Sequence, residues 1–289
     1  MQKINKLKHR HITSFQIIIL GFLSVILLGS LFLMLPIATK DGQITPFSDA
    51  LFTPTSAVCV TGLVIYDTAT YWSFFGQCII LLLIKIGGMG IVTIFVAVAV
   101  VSGQKIGLMQ RSTMQEAIAA PTINGIVRKT EFIIKTVVLI ESIGAAILAP
   151  VFCRDFGFLK GIWYSLFHSI SAFCNAGFYL MGIKEPFSSI TSYSTQPIVN
   201  MTIMVLIIVG GIGFLTWEDI KNNKWNFKKY RMQSKVILSV TALLIVLSHW
   251  ILIFLMFLGR VGGLTLVFAA LSERKPNSSK YPQEKITVG

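Results

Sequence analysis

Long apolar runs alternate along this chain with short segments rich in basic residues. Five of the runs reach or exceed the roughly 20 residues that a helix needs to cross a bilayer. They are Ile12–Pro36, Phe74–Val101, Phe132–Phe152, Pro197–Trp217 and Val236–Leu258. The first run is too long for a cleaved signal peptide. The pattern predicts an all-α, polytopic membrane protein.

The charge distribution predicts how the runs are oriented. Only 13% of the 289 residues are charged, against about a quarter in soluble domains. The net charge of +13 would suit nucleic acid if it were spread evenly. Instead, basic residues cluster before the first run, between the second and third, and after the fourth. This positive-inside alternation predicts a lipid bilayer rather than nucleic acid as partner, a cell-membrane location and a cytoplasmic N-terminus.

A shorter apolar segment, Pro46–Val58, lies between the first two runs, with Asp49 as its one charge. Its 13 residues suit a helix that enters the membrane halfway better than one that crosses it. The chain must then turn back, because the next run starts at Phe74. Non-helical backbone at that depth is tolerated only where it is buried in protein or lines a water-filled path.

This arrangement occurs twice. "LFTPTSAVCVTGLV" (Leu51–Val64) matches "LFHSISAFCNAGFY" (Leu166–Tyr179) in Leu, Phe, Ser, Ala, Cys and Gly without a gap, and "LIKIGGMGIVTI" similarly matches "LIIVGGIGFLTW". The repeat predicts a unit of span, short helix, Gly-containing turn and span. Both copies start on the basic, cytoplasmic side, so they are predicted to be parallel repeats around an axis normal to the membrane.

The turns themselves carry the candidate chemistry. Gly62 and Gly177 can adopt positive φ and allow close approach of another backbone, and neither has a carboxylate or Lys as neighbour. The turns therefore offer backbone carbonyls, with the Thr61 and Asn175 side chains nearby. Carbonyls that replace a hydration shell form K⁺ filters. The alternative is a tight turn in an ordinary extracellular loop, which need not be apolar.

Several other polar or small residues call for an interpretation. Lys85, inside the second run, is interpreted as snorkelling to the interface rather than facing a pore. His168 is interpreted as a polar cap or water-facing group rather than a base. Without a Ser/His/Asp set or an H-E-x-x-H motif, no enzyme is predicted. Two glycine clusters favour close helix packing over a hinge: Gly87, Gly88, Gly90, Gly210, Gly211 and Gly213.

The quoted motifs "TSAVCVTGLVIYDTAT", "SAFCNAGF", "IGGMGIVT" and "GGIGFLTW" resemble the Trk/Ktr potassium transporter family, specifically its KtrB-type membrane subunit, over most of residues 12–235. The resemblance implies K⁺-channel-like M1–P–M2 hairpins and K⁺ uptake, often stimulated by Na⁺. It also implies a homodimer on a cytoplasmic, nucleotide-binding KtrA-type ring. Since this chain has no nucleotide-binding fingerprint and no predicted cofactor of its own, any nucleotide control would reside in that partner. The implied selectivity filter consists of Cys59, Val60, Thr61, Gly62 and Leu63 with Cys174, Asn175, Ala176, Gly177 and Phe178.

The chain departs from that family in the number of units. The family has four M1–P–M2 units, whereas two complete units are recognised here, followed by a fused remnant of later spans. A junction near Trp250–Ile251 is the simplest interpretation, and Arg260 resembles a basic residue that faces the family's gate. A single fifth span would also place the basic tail outside, against the positive-inside rule. Two hypotheses follow: a pore-forming K⁺ transport subunit, or a truncated, non-conducting or dominant-negative remnant that associates with a full-length subunit.

The predicted organisation divides the chain into seven segments. The loop between the two units is either a solvated connector or a docking segment for the cytoplasmic ring. The segments are a basic N-terminus (1–11), the first unit (12–101), a cytoplasmic loop (102–130), the second unit (131–220), a basic loop (221–235), the fused remnant (236–271) and a disordered tail (272–289).

Overall fold

The computed structural model describes residues 14–90, 93–94, 126–224 and 226–261. Within these residues the regular structure is helical, apart from an isolated bridge between Thr39 and Trp72, which confirms the predicted all-α class. The predicted segments 1–11 and 272–289, and most of the loop 102–130, lie outside the described residues. The α-helices are α1 (Ser14–Met34), α2 (Phe47–Val58), α3 (Phe74–Met89), α4 (Ile126–Phe156), α5 (Phe158–Phe173), α6 (Pro197–Gly211), α7 (Phe214–Asn223) and α8 (Met232–Val261).

The chain divides into two compact units, Met1–Ser234 and Lys235–Gly289. The described part of the second unit is the remainder of α8, a helix of 30 residues. This helix continues without a break through Trp250–Ile251, where the sequence suggested a junction between two spans. Arg260 lies in its last turn, and the position of the Arg260 side chain is outside the described part.

The repeat predicted from the sequence is present in the order of the helices within the first unit. Helices α1, α2 and α3 correspond to α4, α5 and α6, and each short helix packs against the long helix before it and the helix after it. Helix α2 begins one residue after the predicted start and ends at the predicted residue, Val58. Contacts between α3 and α5 join the two repeats.

Two described helices are long and apolar enough to cross a membrane alone, Gln16–Met34 and Thr130–Phe156. The second and fourth apolar runs differ from the single spans that the sequence predicts. Helix α3 ends at Met89, inside the second run. In the fourth run, α6 and α7 meet at 93°, so that run is one broken span at most.

Burial separates an interior from a lipid-facing surface. Ile80, Ile84 and Phe167 are fully buried where the helices meet, whereas Ile19 on α1 and Met201 on α6 are 65% and 61% exposed. Apolar side chains on the outside of spanning helices are the expected surface of a protein whose solvent is hydrocarbon.

A buried carboxylate joins the two repeats beyond the two glycine-containing turns. Asp67 is 3% exposed, and its Oδ1 accepts hydrogen bonds from the backbone N–H groups of Ala69 and Thr70, both at 2.9 Å. Its Oδ2 accepts from the N–H of Phe187, in the second repeat, at 3.1 Å. A Cβ on Gly182 would lie 2.0 Å from the same oxygen. The carboxylate thus fastens two loops that are 120 residues apart.

An amide and an indole make a second connection between the repeats. The Nε1–H of Trp163, on α5, donates to Oε1 of Gln77, on α3, at 2.9 Å. The Gln77 amide donates in turn to the carbonyl of Trp72 at 3.1 Å, and the Trp163 ring packs against Phe74. Since Gln77 is buried, these bonds satisfy a polar group that would otherwise be costly at this position.

The hydrogen bonds of Asp67 predict that its replacement by alanine lowers the thermal stability of the protein. Asp67→Ala leaves three backbone N–H groups without their acceptor, and an unsatisfied buried donor such as that of Ala69 costs about 1–3 kcal/mol. We expect the thermal unfolding temperature of the detergent-purified protein to fall by about 5 °C or more. Asp41→Ala, which removes an exposed carboxylate from the preceding loop, is the matched control. An Asp67→Ala variant as stable as the Asp41→Ala variant would contradict the assigned role.

Candidate functional site

The two glycine-containing turns have the same backbone conformation. Val60 and Gly62 have φ values of 57° and 76°, and the corresponding Asn175 and Gly177 have 57° and 72°. A non-glycine residue followed two positions later by glycine, both at positive φ, therefore occurs in each repeat. Two matching sequences have folded into two matching turns.

Hydrogen bonding at the end of each short helix explains this conformation. In the first repeat, the N–H of Val60 donates to the carbonyl of Ala57 and the N–H of Thr61 to that of Ser56, at 3.3 and 2.9 Å. Corresponding bonds follow α5: the N–H groups of residues 175 and 176 donate to the carbonyls of residues 172 and 171. This is the Schellman pattern, which requires a left-handed residue directly after the cap.

The residue in the left-handed position is unusual. Glycine normally occupies it, and a β-branched residue there is a genuine outlier, yet the first repeat has Val60 and the second Asn175. Such strained positions persist only where the surroundings determine them, and they concentrate at functional sites. The sequence offered no direct signal for this, because the predicted positive φ was assigned to the two glycines alone.

The turns contain carbonyl groups that accept no backbone hydrogen bond in the described part of the chain. The N–H groups of residues 59–61 and 174–176 bond back into their helices. In the described part of the chain, no backbone N–H donates to a carbonyl of residues 60–63 or 175–177. The carbonyl oxygens of the turns are therefore not used by the backbone, and their use as ion ligands stays a prediction.

Hydroxyl groups brace the two turns in different ways. The Thr61 hydroxyl donates to Oγ of Ser56 at 2.9 Å, whereas the hydroxyl of the corresponding Ser171 donates to the carbonyl of Phe178 at 2.7 Å. Leu63 is 63% exposed while Phe178 is 2% exposed. The two turns thus share the positive φ of Val60 and Gly62 with Asn175 and Gly177, but they do not share their environments.

The structure brings the two predicted filter segments together. A Cβ added to Gly62 would lie 2.6 Å from the carbonyl oxygen of Ala176 and 3.1 Å from Cα of Gly177. Beside the second turn lies a cavity of about 250 Å³. Its walls include Asn175 and Gly177 of the turn and Ile203 of α6. The second turn therefore meets the first turn on one side and open space on another.

The glycine clusters combine packing with a break in the helix. An added Cβ on Gly87 would lie 2.3 Å from the Val58 carbonyl oxygen, and one on Gly210 would lie 1.8 Å from that of Phe173. These close contacts support the predicted packing role within each repeat. The third glycine of each cluster behaves differently: Gly90 and Gly213 have φ values of 80° and 82° and no atom within 4 Å of an added Cβ.

This third glycine ends the helix, which the packing interpretation missed. Gly90 caps α3, and Gly213 precedes α7 after the 93° bend. The second glycine of the first cluster, Gly88, serves the contact between repeats, because an added Cβ there would lie 2.5 Å from Sγ of Cys174. The helix that follows the first turn therefore packs directly against the second turn.

Lys85 does not snorkel, contrary to the sequence-based interpretation. Its ammonium group forms an ion pair with the carboxylate of Glu141 on α4, and the two side chains are 20% and 5% exposed. Charged groups within a span pair with one another because an isolated charge there is costly. The two residues are 56 positions apart in the sequence, and only the packing of α3 against the second repeat brings them together.

The Lys85–Glu141 pair lies beside the helix that carries the second turn. The backbone carbonyl of Glu141 accepts a hydrogen bond from the Ser169 hydroxyl on α5, at 2.7 Å. One turn along each helix, Gly88 contacts Cys174 and Gly144 contacts Ser169. The ion pair thus links α3 to α4 beside the helix that ends in the second turn.

His168 is buried, so the water-facing interpretation is wrong. It is 2% exposed, its Nδ1 bonds to the carbonyl of Tyr164 at 2.7 Å, and its Nε2 accepts from the N–H of Leu180 at 3.2 Å. The neutral imidazole therefore caps the backbone just after the second turn, in agreement with the polar-cap alternative.

These features define a class of protein: a polytopic membrane protein with repeated re-entrant helices that end in carbonyl-presenting turns. The family model for TrkH, described as a cation transport protein, matches residues 2–239. The chain belongs to this TrkH family. The resemblance to Trk/Ktr transporters is thereby confirmed, and the family consists of transporters rather than enzymes.

Curated relatives agree with this family. The chain is 40% identical over 279 residues to the potassium/sodium uptake protein NtpJ of Enterococcus hirae, covering 96% of this chain and 59% of the relative. It is 40% identical over 246 residues to the Ktr system potassium uptake protein B of Bacillus subtilis, covering 84% and 53%, respectively. The corresponding Vibrio alginolyticus protein is 33% identical over 241 residues, covering 82% and 51%. The chain spans about half the length of the curated relatives it matches.

The buried ion pair predicts that single substitutions reduce the yield of folded protein and that exchanging the two charges restores much of it. Removing one partner of a buried pair costs about 3–5 kcal/mol, because the other charge is left uncompensated. We expect Lys85→Met or Glu141→Leu to reduce the amount of monodisperse protein recovered in detergent several-fold. The double variant Lys85→Glu/Glu141→Lys restores the attraction and is expected to recover much of the yield.

The matched control is the exposed pair of Lys135 and Glu131, whose side chains are 74% and 45% exposed. Lys135→Met removes the same kind of charge from a position where an ion pair contributes little. Equal losses for Lys85→Met and Lys135→Met, measured by gel filtration, would contradict the role of the buried pair.

Proposed function

We propose that this chain takes part in potassium uptake across the cell membrane, through a pore whose selectivity filter is built from residues 59–63 and 174–178. The observation that carries the proposal is the pair of matching turns with unused carbonyl groups. K⁺ is the substrate, and backbone carbonyls would replace its hydration shell. The names of the relatives support potassium, and in one of them sodium, as the transported or stimulating ion.

The helices before the turns favour a cation there. Helices α2 and α5 end at Val58 and Phe173, so the partially negative end of each helix dipole points at the turn that follows it. A cation at the turns is then stabilised without a fixed carboxylate, whose strong attraction would hinder release. Conduction requires binding that is favourable but weak enough for the ion to leave.

The filter proposed here needs more than two turns. Two turns supply carbonyls from two directions, and the second turn has a cavity rather than a third turn on its far side. We propose that further M1–P–M2 units, from a second copy of this chain or from a full-length subunit, complete the ring. Such an assembly would place the N-terminus in the cytoplasm, facing a KtrA-type nucleotide-binding ring, with Arg260 near the gate.

The filter assignment predicts loss of transport from one added side chain. In Gly62→Ser the new Cβ would lie 2.6 Å from the Ala176 carbonyl oxygen, which displaces a proposed ligand. We expect the rate of K⁺ uptake to fall at least about tenfold while the protein is still present in the membrane. A tenfold lower rate corresponds to an activation free energy higher by about 1.4 kcal/mol. Gly177→Ser, whose Cβ would be 3.4 Å from Cα of Gly62, is expected to impair uptake less severely.

Gly42→Ser is the matched control for this experiment. Gly42 also has a positive φ, 66°, but no atom lies within 4 Å of an added Cβ. Serine therefore introduces similar backbone strain at both positions and a collision only at Gly62. Equal uptake in the Gly62 and Gly42 variants, assayed with ⁸⁶Rb⁺ as tracer, would rule out the filter assignment.

Growth of a K⁺-uptake-deficient bacterium at low K⁺ separates the conducting subunit from the non-conducting remnant. Expression of this chain alone rescues growth if copies of it complete the pore. Rescue that needs a full-length subunit supports a mixed assembly. Reduced growth when this chain is added to a full-length subunit supports the dominant-negative hypothesis and argues against the proposed function.

A further inference from the structure

The bend between α6 and α7 sets the direction of the basic segment that follows. Helix α6 is an apolar helix of 15 residues, and membrane helices tilt on average about 20° from the bilayer normal. Because α7 leaves α6 at 93°, α7 runs close to the plane of the membrane surface. The chain after α7 therefore stays at the level of the lipid headgroups.

The acidic groups of this region are turned inward. Glu218 and Asp219 are the two acidic residues between positions 214 and 235. A guanidinium nitrogen of Arg231 lies 2.8 Å from the Glu218 carboxylate and another lies 3.4 Å from that of Asp219. Asp219 also accepts from the Ser234 hydroxyl at 2.6 Å and from the backbone N–H of Arg231 at 3.0 Å. Both carboxylates thus pair with Arg231, and Asp219 is 5% exposed while Glu218 is 19% exposed.

The outward surface of the same region is basic and partly apolar. Its exposed lysines are Lys221, Lys224, Lys228 and Lys229. Between them lie exposed apolar side chains: Ile220, Phe227 and Met232 are 40%, 46% and 81% exposed. The surface therefore combines positive charge with apolar side chains that water does not favour. At a membrane surface, these side chains enter the acyl region while lysine ammonium groups reach the phosphates.

We propose that this basic surface, residues 220–232, binds the headgroups of anionic phospholipids in the cytoplasmic leaflet. The inference rests on the proposed function for the orientation of the chain, and it adds a lipid partner that anchors the end of α7. Charge complementarity selects the occupant, because Lys224, Lys228 and Lys229 are exposed and both nearby carboxylates pair with Arg231, while the Lys221 ammonium lies over the Phe132 ring. Anchoring would hold the bend at Gly213, and with it the helix that supports the second turn.

A lipid titration tests the proposal directly. The purified chain in detergent is titrated with phosphatidylglycerol, or with phosphatidylcholine of the same acyl chains, and bound lipid is counted by native mass spectrometry. We expect a preference for phosphatidylglycerol. Each lysine near an anionic surface contributes about fivefold in affinity, so Lys224→Gln/Lys228→Gln/Lys229→Gln is expected to weaken phosphatidylglycerol binding by well over tenfold and phosphatidylcholine binding little.

Controls separate the lysines of this surface from charge in general. Lys160→Gln removes an exposed lysine from the loop side of α5 and is expected to leave the preference for phosphatidylglycerol unchanged. The Lys160→Gln variant is compared with Lys229→Gln, which makes the same substitution on the basic surface. Equal binding of the two lipids by the wild type, an unaffected triple variant, or equal effects of the two single variants would each overturn the proposal.

Two further arms identify the occupant. Glycerol 3-phosphate at the same concentration is expected to compete weakly; full competition would mean that a free phosphate, not a lipid, occupies the surface. Uptake of ⁸⁶Rb⁺ is measured on the same samples after reconstitution. Preserved phosphatidylglycerol preference without uptake counts against a pore completed by copies of this chain and leaves this inference standing, whereas uptake with no lipid preference counts against this inference alone.

Discussion

The structure depends on the need of every backbone polar group inside a bilayer for a partner or for water. A helix that stops halfway must dispose of its last carbonyls and of the N–H groups in the turn that follows. Here the N–H groups of residues 59–61 and 174–176 bond back into the helix in a Schellman pattern. The carbonyl oxygens of the turn that follows accept no backbone hydrogen bond in the described part of the chain. The positive φ of Val60 and Asn175 is a consequence of that pattern, and the cation site that we propose would be its functional use.

The second requirement is that two such turns stay at the same depth. Three kinds of contact achieve this between the repeats: a hydrogen-bonded carboxylate at Asp67, an amide–indole bond between Gln77 and Trp163, and an ion pair between Lys85 and Glu141. All are polar and buried, so each has a defined geometry that apolar packing alone would not impose. Polar groups in a low-dielectric interior tolerate few alternative arrangements.

Glycine serves opposite purposes within one short motif. The first glycines of each cluster allow a helix to approach the carbonyl at the end of the short helix, and the third breaks the helix at positive φ. The close approach supports the turn. The break in the second cluster, at Gly213, changes the direction of the chain between α6 and α7. A sequence motif of this kind carries both roles at once.

The sequence by itself determined the class, the repeat and the two turns. Apolar runs and their basic flanks define spans because transfer into hydrocarbon depends on composition. The ungapped match of 14 residues marks the turns because it repeats the same six residue types, glycine among them, at the same spacing. Only the tertiary structure decided the partner of Lys85, the burial of His168 and the break at Gly213. These depend on which helix lies opposite, and the contacts that bring distant residues together leave no local periodicity in the sequence.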